Sequence, residues 1–321
     1  MRVAVFGAGA MGSLFAARLA VAGEEITLVG RPSPHLDAIQ HNGLQLVERD
    51  GVRQFVPLTV ALDPSGVAHA DLILLMVKAW ATASAVASIR PYFTSSTLIL
   101  TLQNGLGNRE SIRGALGERL VPSILVGVTS QAALRPDAGA ICHTGRGPTR
   151  IGGEAAVDPD TVRAVAKLLS HAGIPTLAVA DIDRWLWHKL SINVAINGLT
   201  ALIGEENGAL VENPALRIAG HIVSGEVARV ARSQGFDVGD VAAGVDEVAL
   251  ATAGNRSSML ADLENGKETE IEAIHGAALD VGQSVGVEMP ATRVIYALLR
   301  HRAGHARRTR PDETENRKFI E

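Results

Sequence analysis

An α/β fold of two domains is predicted by three features of the sequence. Short apolar runs recur through the first half, a glycine-rich turn joins the first run to a helical stretch, and long helical segments take over near residue 180. Together they predict an N-terminal doubly wound, mostly parallel sheet followed by an all-α C-terminal domain. At roughly 100 to 200 residues per domain, a chain of 321 residues has room for both. The expected division is 1–180 and 181–321.

The runs at 3–6, 26–29, 72–77, 98–102 and 124–128 stay apolar instead of alternating with polar residues. Strands covered on both faces read this way, so these are expected as buried parallel strands. Residues 11–22, rich in Ala and Leu, supply a helix between the first two and complete a strand–helix–strand unit. Glycine density rises over 145–153 (GRGPTRIGG), and 176–180 is the last strand-like piece. From Asp181 onward the segments 184–203, 216–234, 238–253, 257–263, 270–285 and 291–299 read as helices. The tail 300–321, dense in charge and interrupted by Pro311, reads as a frayed or solvated end.

Composition narrows the function. Hydrophobic residues make up 47% of the chain and charged residues 20%, which is the balance of a folded globular protein. A net charge of -4 gives no electrostatic footprint for nucleic acid or an anionic membrane, so a small ligand is the expected partner. The single cysteine, Cys142, excludes an internal disulfide and a cysteine-based zinc site. No metal motif is present. No basic flank and cleavage site precede the first strand, and no apolar run is long enough to span a bilayer. The cytosol is the expected compartment, with monomer and homodimer both open.

The segment VAVFGAGAMG places Gly7, Gly9 and Gly12 in G-x-G-x-x-G spacing, directly after a strand and directly before a helix. In that Rossmann-type context the first glycine allows the tight turn, the second lets a pyrophosphate approach the backbone, and the third lets helix and strand pack closely. Residues Gly7, Ala8, Gly9, Ala10, Met11 and Gly12 are therefore the expected cofactor loop. Versions that prefer NAD carry an acid about 20 residues on, at the end of the second strand. Here that place reads Leu28-Val29-Gly30-Arg31. A guanidinium in place of a carboxylate suits the 2'-phosphate of NADPH/NADP+. The plain alternative is a solvated loop cation. Lys78 ends DLILLMVK and Asn104 ends LILTLQNG, both at strand ends where open α/β sheets bind ligands. Singly, each also reads as a surface residue or turn former.

In RWLWHKLSINVAINGLTALI, Lys189, Asn193 and Asn197 fall at i, i+4 and i+8, one narrow stripe on an otherwise apolar helix. One reading has the asparagines bonding neighbouring helices while the ammonium snorkels to water. The other has the stripe lining a ligand site, with the ammonium as proton donor and the amides holding an oxygen-rich molecule. A cleft or a neighbouring cation such as Lys78 could lower the lysine pKa toward a useful range. Glu270, in TEIEAI, also reads as an acid in a helix first turn with Thr269 as cap, and Ser258 as the cap of a helix beginning at Met259.

GAGAMG, VKAW, LQNGLGN, GVTS, the HTG at 143–145, WHKLSINVAINGLTAL and NRSSMLADLENGKETEIEAIHG occur in that order along most of the chain. The set resembles the ketopantoate reductase family, a branch of the 6-phosphogluconate dehydrogenase-like superfamily. The resemblance implies NADPH-dependent reduction of a small 2-keto acid held between the two domains. It implies Lys189 as the residue that protonates the nascent alkoxide and Glu270 as the active-site glutamate beside it, near the cofactor. Asn193, Asn197, Ser258 and Asn104 match substrate-binding positions, while Asn104 and Lys78 match positions near the nicotinamide. His188 and the segment 205–208 are places where relatives vary, and they bear on the substrate. A reductase for another 2-keto acid, or a sensor that binds NADPH without turnover, stays open.

Overall fold

The computed structural model describes residues 1–117, 124–154 and 157–308. Its internal contacts divide the chain into two units, Met1–Trp185 and Leu186–Glu321. The first unit is built on an eight-stranded sheet. Its centre is β1 (Arg2–Phe6), with β2 (Glu25–Val29) and β5 (Thr59–Ala61) on one side. On the other side lie β6 (Leu72–Leu75), β7 (Leu98–Thr101), β8 (Ile124–Thr129), β11 (Thr149–Gly153) and β12 (Thr176–Ala178). All neighbours pair in parallel except β11, which runs antiparallel to β8. The five runs read as buried strands are β1, β2, β6, β7 and β8, and β6 is buried at every residue. The strand order reverses at β1, which puts a ligand crevice at the carboxyl ends of β1 and its neighbours.

A second sheet, in the order β4-β3-β10-β9, escaped the sequence reading. It consists of β3 (Leu44–Val47), β4 (Arg53–Val56), β9 (Ala132–Leu134) and β10 (Ala140–Gly145). The parallel β3–β10 pair joins segments far apart in sequence, so no local periodicity announces it. Helix α1 (Ala10–Val21) touches both sheets. That double cover explains why Gly12, Ser13, Leu14, Phe15, Ala16, Ala17 and Leu19 are all buried, although a surface helix would bury one stripe. The unit is completed by α2 (Pro34–Asn42), α3 (Thr82–Ile89), α4 (Asn108–Leu116) and α5 (Pro159–His171).

Helix α6 (Ile182–Ile203) carries the chain past residue 180. Its first turn is fastened to the first unit, since Arg109 on α4 grips Asp183 through both guanidinium nitrogens at 3.2 and 2.8 Å, and Arg150 stacks 3.8 Å over the Trp185 ring. The division into units accordingly falls inside the helix.

Among the described residues the second unit is all helical. After α6 come α7 (Ala209–Glu212), α8 (Pro214–Ser233), α9 (Val241–Ala251), α10 (Ser258–Glu264), α11 (Ala277–Ser284) and α12 (Pro290–Arg308). Its core gathers Leu190, Val194, Ala195, Ile196 and Leu199 of α6 with Val223, Val227 and Val230 of α8 and Ile295 and Leu299 of α12. The buried Glu226 carboxylate accepts from the Ala291 and Thr292 N–H groups and the Thr292 hydroxyl, capping α12 with a negative charge. The expected frayed end at residue 300 is corrected here, because α12 continues to Arg308. Its Leu299 is buried, and Arg302 reaches back to the Leu202 carbonyl, which ties the last turns to the end of α6. The rest of the charged tail, 309–321, lies outside the described residues.

Candidate active site

The glycine loop runs from β1 into α1. Gly7 has φ +120°, closed to most side chains, and donates its N–H to the Val29 carbonyl at 2.9 Å. A Cβ there would lie 2.7 Å from the Met76 backbone, and one on Gly12 would lie 1.9 Å from the Gly7 carbonyl oxygen. Gly9 differs, because among the described residues a Cβ on it would meet nothing within 4 Å. The fold itself therefore requires Gly7 and Gly12, while the glycine at position 9 leaves bare surface. Gly9 caps α1 without a side-chain bond and no acid occupies the first turn, so the N–H groups of Ala10, Met11 and Gly12 begin a helix whose positive end suits a pyrophosphate. Ala8 lies beside Gly30, and the exposed Arg31 follows at the end of β2, one residue before the α2 entry turn.

Two further networks hold this crevice and were missed in the sequence. Gln103 donates to the Val77 carbonyl at 2.7 Å and to the Thr82 hydroxyl at 2.8 Å, and accepts from Thr101 at 2.8 Å. Thr82 in turn donates to Asn108, whose amide donates to the Asn104 carbonyl at 3.1 Å. The loops carrying Lys78 and Asn104 are thus stitched to each other through the buried Thr82 and Asn108. The only signal in the sequence was a glutamine just before the noted Asn-Gly. Behind the glycine loop, Ser13 bonds the His35 Nε2 at 3.0 Å while His35 Nδ1 accepts from the Gly139 N–H at 2.9 Å. Burial, helped by Arg135, lowers the His35 pKa to about 4, so the ring is neutral and its Nε2–H donates to Ser13.

In the second unit, α6 presents Lys189, Asn193 and Asn197 along one face, the first two half-buried and the last buried. Although part of Lys189 is open to solvent, enough protein surrounds its ammonium that desolvation lowers the pKa to about 8, against the Glu270 carboxylate, which raises it. Glu270 is itself buried, so it is not the exposed first-turn acid of the plain helix-start reading. Residue 269 does not cap the helix; a π turn, Glu272–Gly276, follows Ile271 and leads into α11. Nor does Ser258 cap α10. The cap is Ser257, which accepts from the Leu260 N–H and lies 2.7 Å from the Thr200 hydroxyl of α6, leaving Ser258 exposed at the first helical position. That bond sets the start of α10 beside the end of the stripe.

His143 and His188 have structural partners. His143 accepts from Arg18 at Nδ1 and bonds Gln131 at Nε2, its pKa lowered by burial and then by Arg18, within the contact of the second sheet with α1. His188 donates from Nδ1 to the Val238 carbonyl at 2.9 Å.

A glycine loop at the switch point of a parallel sheet, followed by a helical unit with a lysine of lowered pKa beside a buried carboxylate, defines a nicotinamide-dinucleotide-dependent oxidoreductase. The comparisons make this specific. Residues 3–155 match the family described as ketopantoate reductase PanE/ApbA, and residues 181–303 match its C-terminal part. The chain belongs to the ketopantoate reductase family. It is 38% identical to a 2-dehydropantoate 2-reductase of Halobacterium salinarum, over 94% of this chain and 98% of that one. A crystal structure of a PanE/ApbA family ketopantoate reductase from Ralstonia eutropha JMP134 superposes with TM-score 0.86 at 32% identity, covering 95% of this chain and 99% of the other. The ternary structure of D-mandelate dehydrogenase with NADH and anilino(oxo)acetate is also similar, with TM-score 0.87, 26% identity and coverage of 95% and 99%.

Proposed function

We propose that the chain reduces 2-dehydropantoate to pantoate with NADPH, a step of pantothenate and coenzyme A synthesis in the cytosol. The observation that carries this reading is the Lys189 ammonium, brought by burial to a pKa of about 8 and steadied by the charge of Glu270. Bound NADPH supplies the hydride. The chain's part is to manage the charge that hydride addition leaves on the carbonyl oxygen. Lys189 donates a proton from Nζ to that oxygen, and a pKa near 8 keeps it charged at neutral pH yet willing to release the proton. Glu270 holds the ammonium, and its charge favours the amine taking a proton back from solvent after each turnover. Asn193, Asn197 and Ser258 offer amide and hydroxyl groups to the substrate's carboxylate and hydroxyl. Asn104 serves substrate and cofactor, Lys78 and Glu270 serve the nicotinamide end, and the loop from Gly7 to Gly12 cradles the pyrophosphate. Arg31 receives the 2'-phosphate.

A second reading, a reductase of another 2-keto acid, is favoured by the likeness to D-mandelate dehydrogenase, whose structure holds NADH with an oxoacetate. Following reduced-nicotinamide absorbance with 2-dehydropantoate against a panel of 2-keto acids separates them. The highest kcat/KM is expected for 2-dehydropantoate with NADPH. Preference for an aryl 2-keto acid would establish the second reading, and binding without any oxidation would leave a sensor.

A further inference from the structure

Five residues beyond Glu270 stands His275, fully buried in the second unit and absent from the chemistry above. It belongs to the π turn Glu272–Gly276, whose wider ring closes where the Ala277 N–H bonds the Glu272 carbonyl five residues back. Such a turn accommodates one extra residue, and at 3.6 residues per turn this rotates everything before it by about 100° relative to an unbroken helix. Thr269, Glu270 and Ile271 are the residues so rotated. The turn is pinned on two sides. Outward, the Tyr296 hydroxyl donates to Glu272 at 2.6 Å. Inward, His275 Nε2 lies 3.1 Å from the Val194 carbonyl of α6, between Asn193 and Asn197 of the stripe.

The fit on α6 is tight. A Cβ on Gly198 would come within 2.6 Å of His275 Nε2, so the glycine opens the notch that the imidazole fills. Burial lowers the His275 pKa to about 4. The ring is therefore neutral, and Nε2 carries the proton it donates to Val194. Its other nitrogen, Nδ1, is buried with no hydrogen-bond partner among the described residues. An unsatisfied buried acceptor forfeits its hydration without return, so an apolar side chain would serve the packing better. The polar residue is explained by the one bond it makes.

We propose that His275 is a positioning residue: by locking the π turn onto the Val194 carbonyl, it sets the Glu270 carboxylate against the Lys189 ammonium. This rests on the reading of Lys189 as proton donor. The test is the pH profile of kcat with NADPH and 2-dehydropantoate, using the full chain. In the parent enzyme the rate falls as Lys189 loses its proton on the alkaline side. His275→Phe keeps the ring and removes the donor, while Gly198→Ala keeps the donor and pushes it out of its notch. Both are expected to move the alkaline limb to lower pH by about one unit, the scale of a lost neighbouring charge. His275→Gln, which restores an N–H at similar reach, returns the limb toward its original place. Glu270→Gln separates the two levels of the argument. If it moves the limb while folded His275→Phe and Gly198→Ala do not, the positioning role is overturned and Lys189 stands. If Glu270→Gln leaves the limb unmoved, Glu270 does not hold the Lys189 proton and the positioning role is overturned; a Lys189→Ala variant that keeps the limb overturns the proton-donor reading and takes this one with it. Should His275→Phe fail to fold, Gly198→Ala decides the matter.

Discussion

At the start of α1 the chain builds a binding surface by leaving side chains out, whereas on α6 it builds one by burying side chains that water would rather keep. In the glycine loop, the requirements of the fold and of the proposed ligand coincide at Gly7 and Gly12 and part only at Gly9, where a Cβ would meet no atom of the described residues within 4 Å. On α6 the two requirements oppose each other. Lys189 holds its charge in surroundings that lower its pKa from 10.5 to about 8, a penalty on the order of 3 kcal/mol while the amine stays protonated. In the proposed function a loop made of backbone binds, and an ammonium held in protein reacts. The first is secured by shape, the second by an electrostatic strain that stability must absorb.

The sharpest way to break this contrast is at Lys189. Lys189→Ala is expected to lose about 10² to 10⁴ in kcat while still binding NADPH, as measured by turnover and by nucleotide titration. Next in size is Gly12→Ala. Its Cβ would overlap the Gly7 carbonyl, so a loss of about 3 kcal/mol or more in stability is expected together with nucleotide binding, read by denaturant unfolding. Gly9→Ala, with open space around it, should keep the parent Tm and raise the KM for NADPH; an equal fall in Tm would erase the distinction between the two glycines. Arg31→Ala should cut the preference for NADPH over NADH by about tenfold, and an unchanged kcat/KM ratio would remove Arg31 from the phosphate site.

The smallest effect is the most diagnostic of strain. Because the folded pKa of Lys189 lies below its unfolded value, the unfolded chain binds more protons between about pH 8 and 10.5, and this group's contribution to stability rises with pH across that window. At neutral pH the penalty is present in full. The double variant Lys189→Met/Glu270→Gln should therefore melt at or above the parent Tm, whereas Lys189→Met alone leaves the Glu270 carboxylate uncompensated and should melt lower. A double variant no more stable than the single one would show that the pair is not strained.

The same contrast explains what could be read from the sequence. The sheet strands and the glycine loop were legible because burial on both faces and G-x-G-x-x-G leave local traces. So was the stripe, since i, i+4 and i+8 on one helix is also a local pattern. The β3–β10 pairing, the Gln103 and Thr82 stitching and the Ser13–His35–Gly139 link were not, because each joins residues tens of positions apart. The π turn after Ile271 was hidden for another reason: Ile271, Ile274, Ala278 and Gly282 keep ordinary helical spacing, and only the bond from the Ala277 N–H to the Glu272 carbonyl, five residues back, reveals the extra residue.

The most direct test of the account is kcat against pH, for the parent chain and for the residual activity of Lys189→Ala, with 2-dehydropantoate and NADPH. The parent is expected to hold its rate below about pH 8 and lose it above, as the ammonium gives up its proton, with no such limb in the variant. A parent profile that stays level through this range, or a variant that keeps both its rate and the limb, would contradict it.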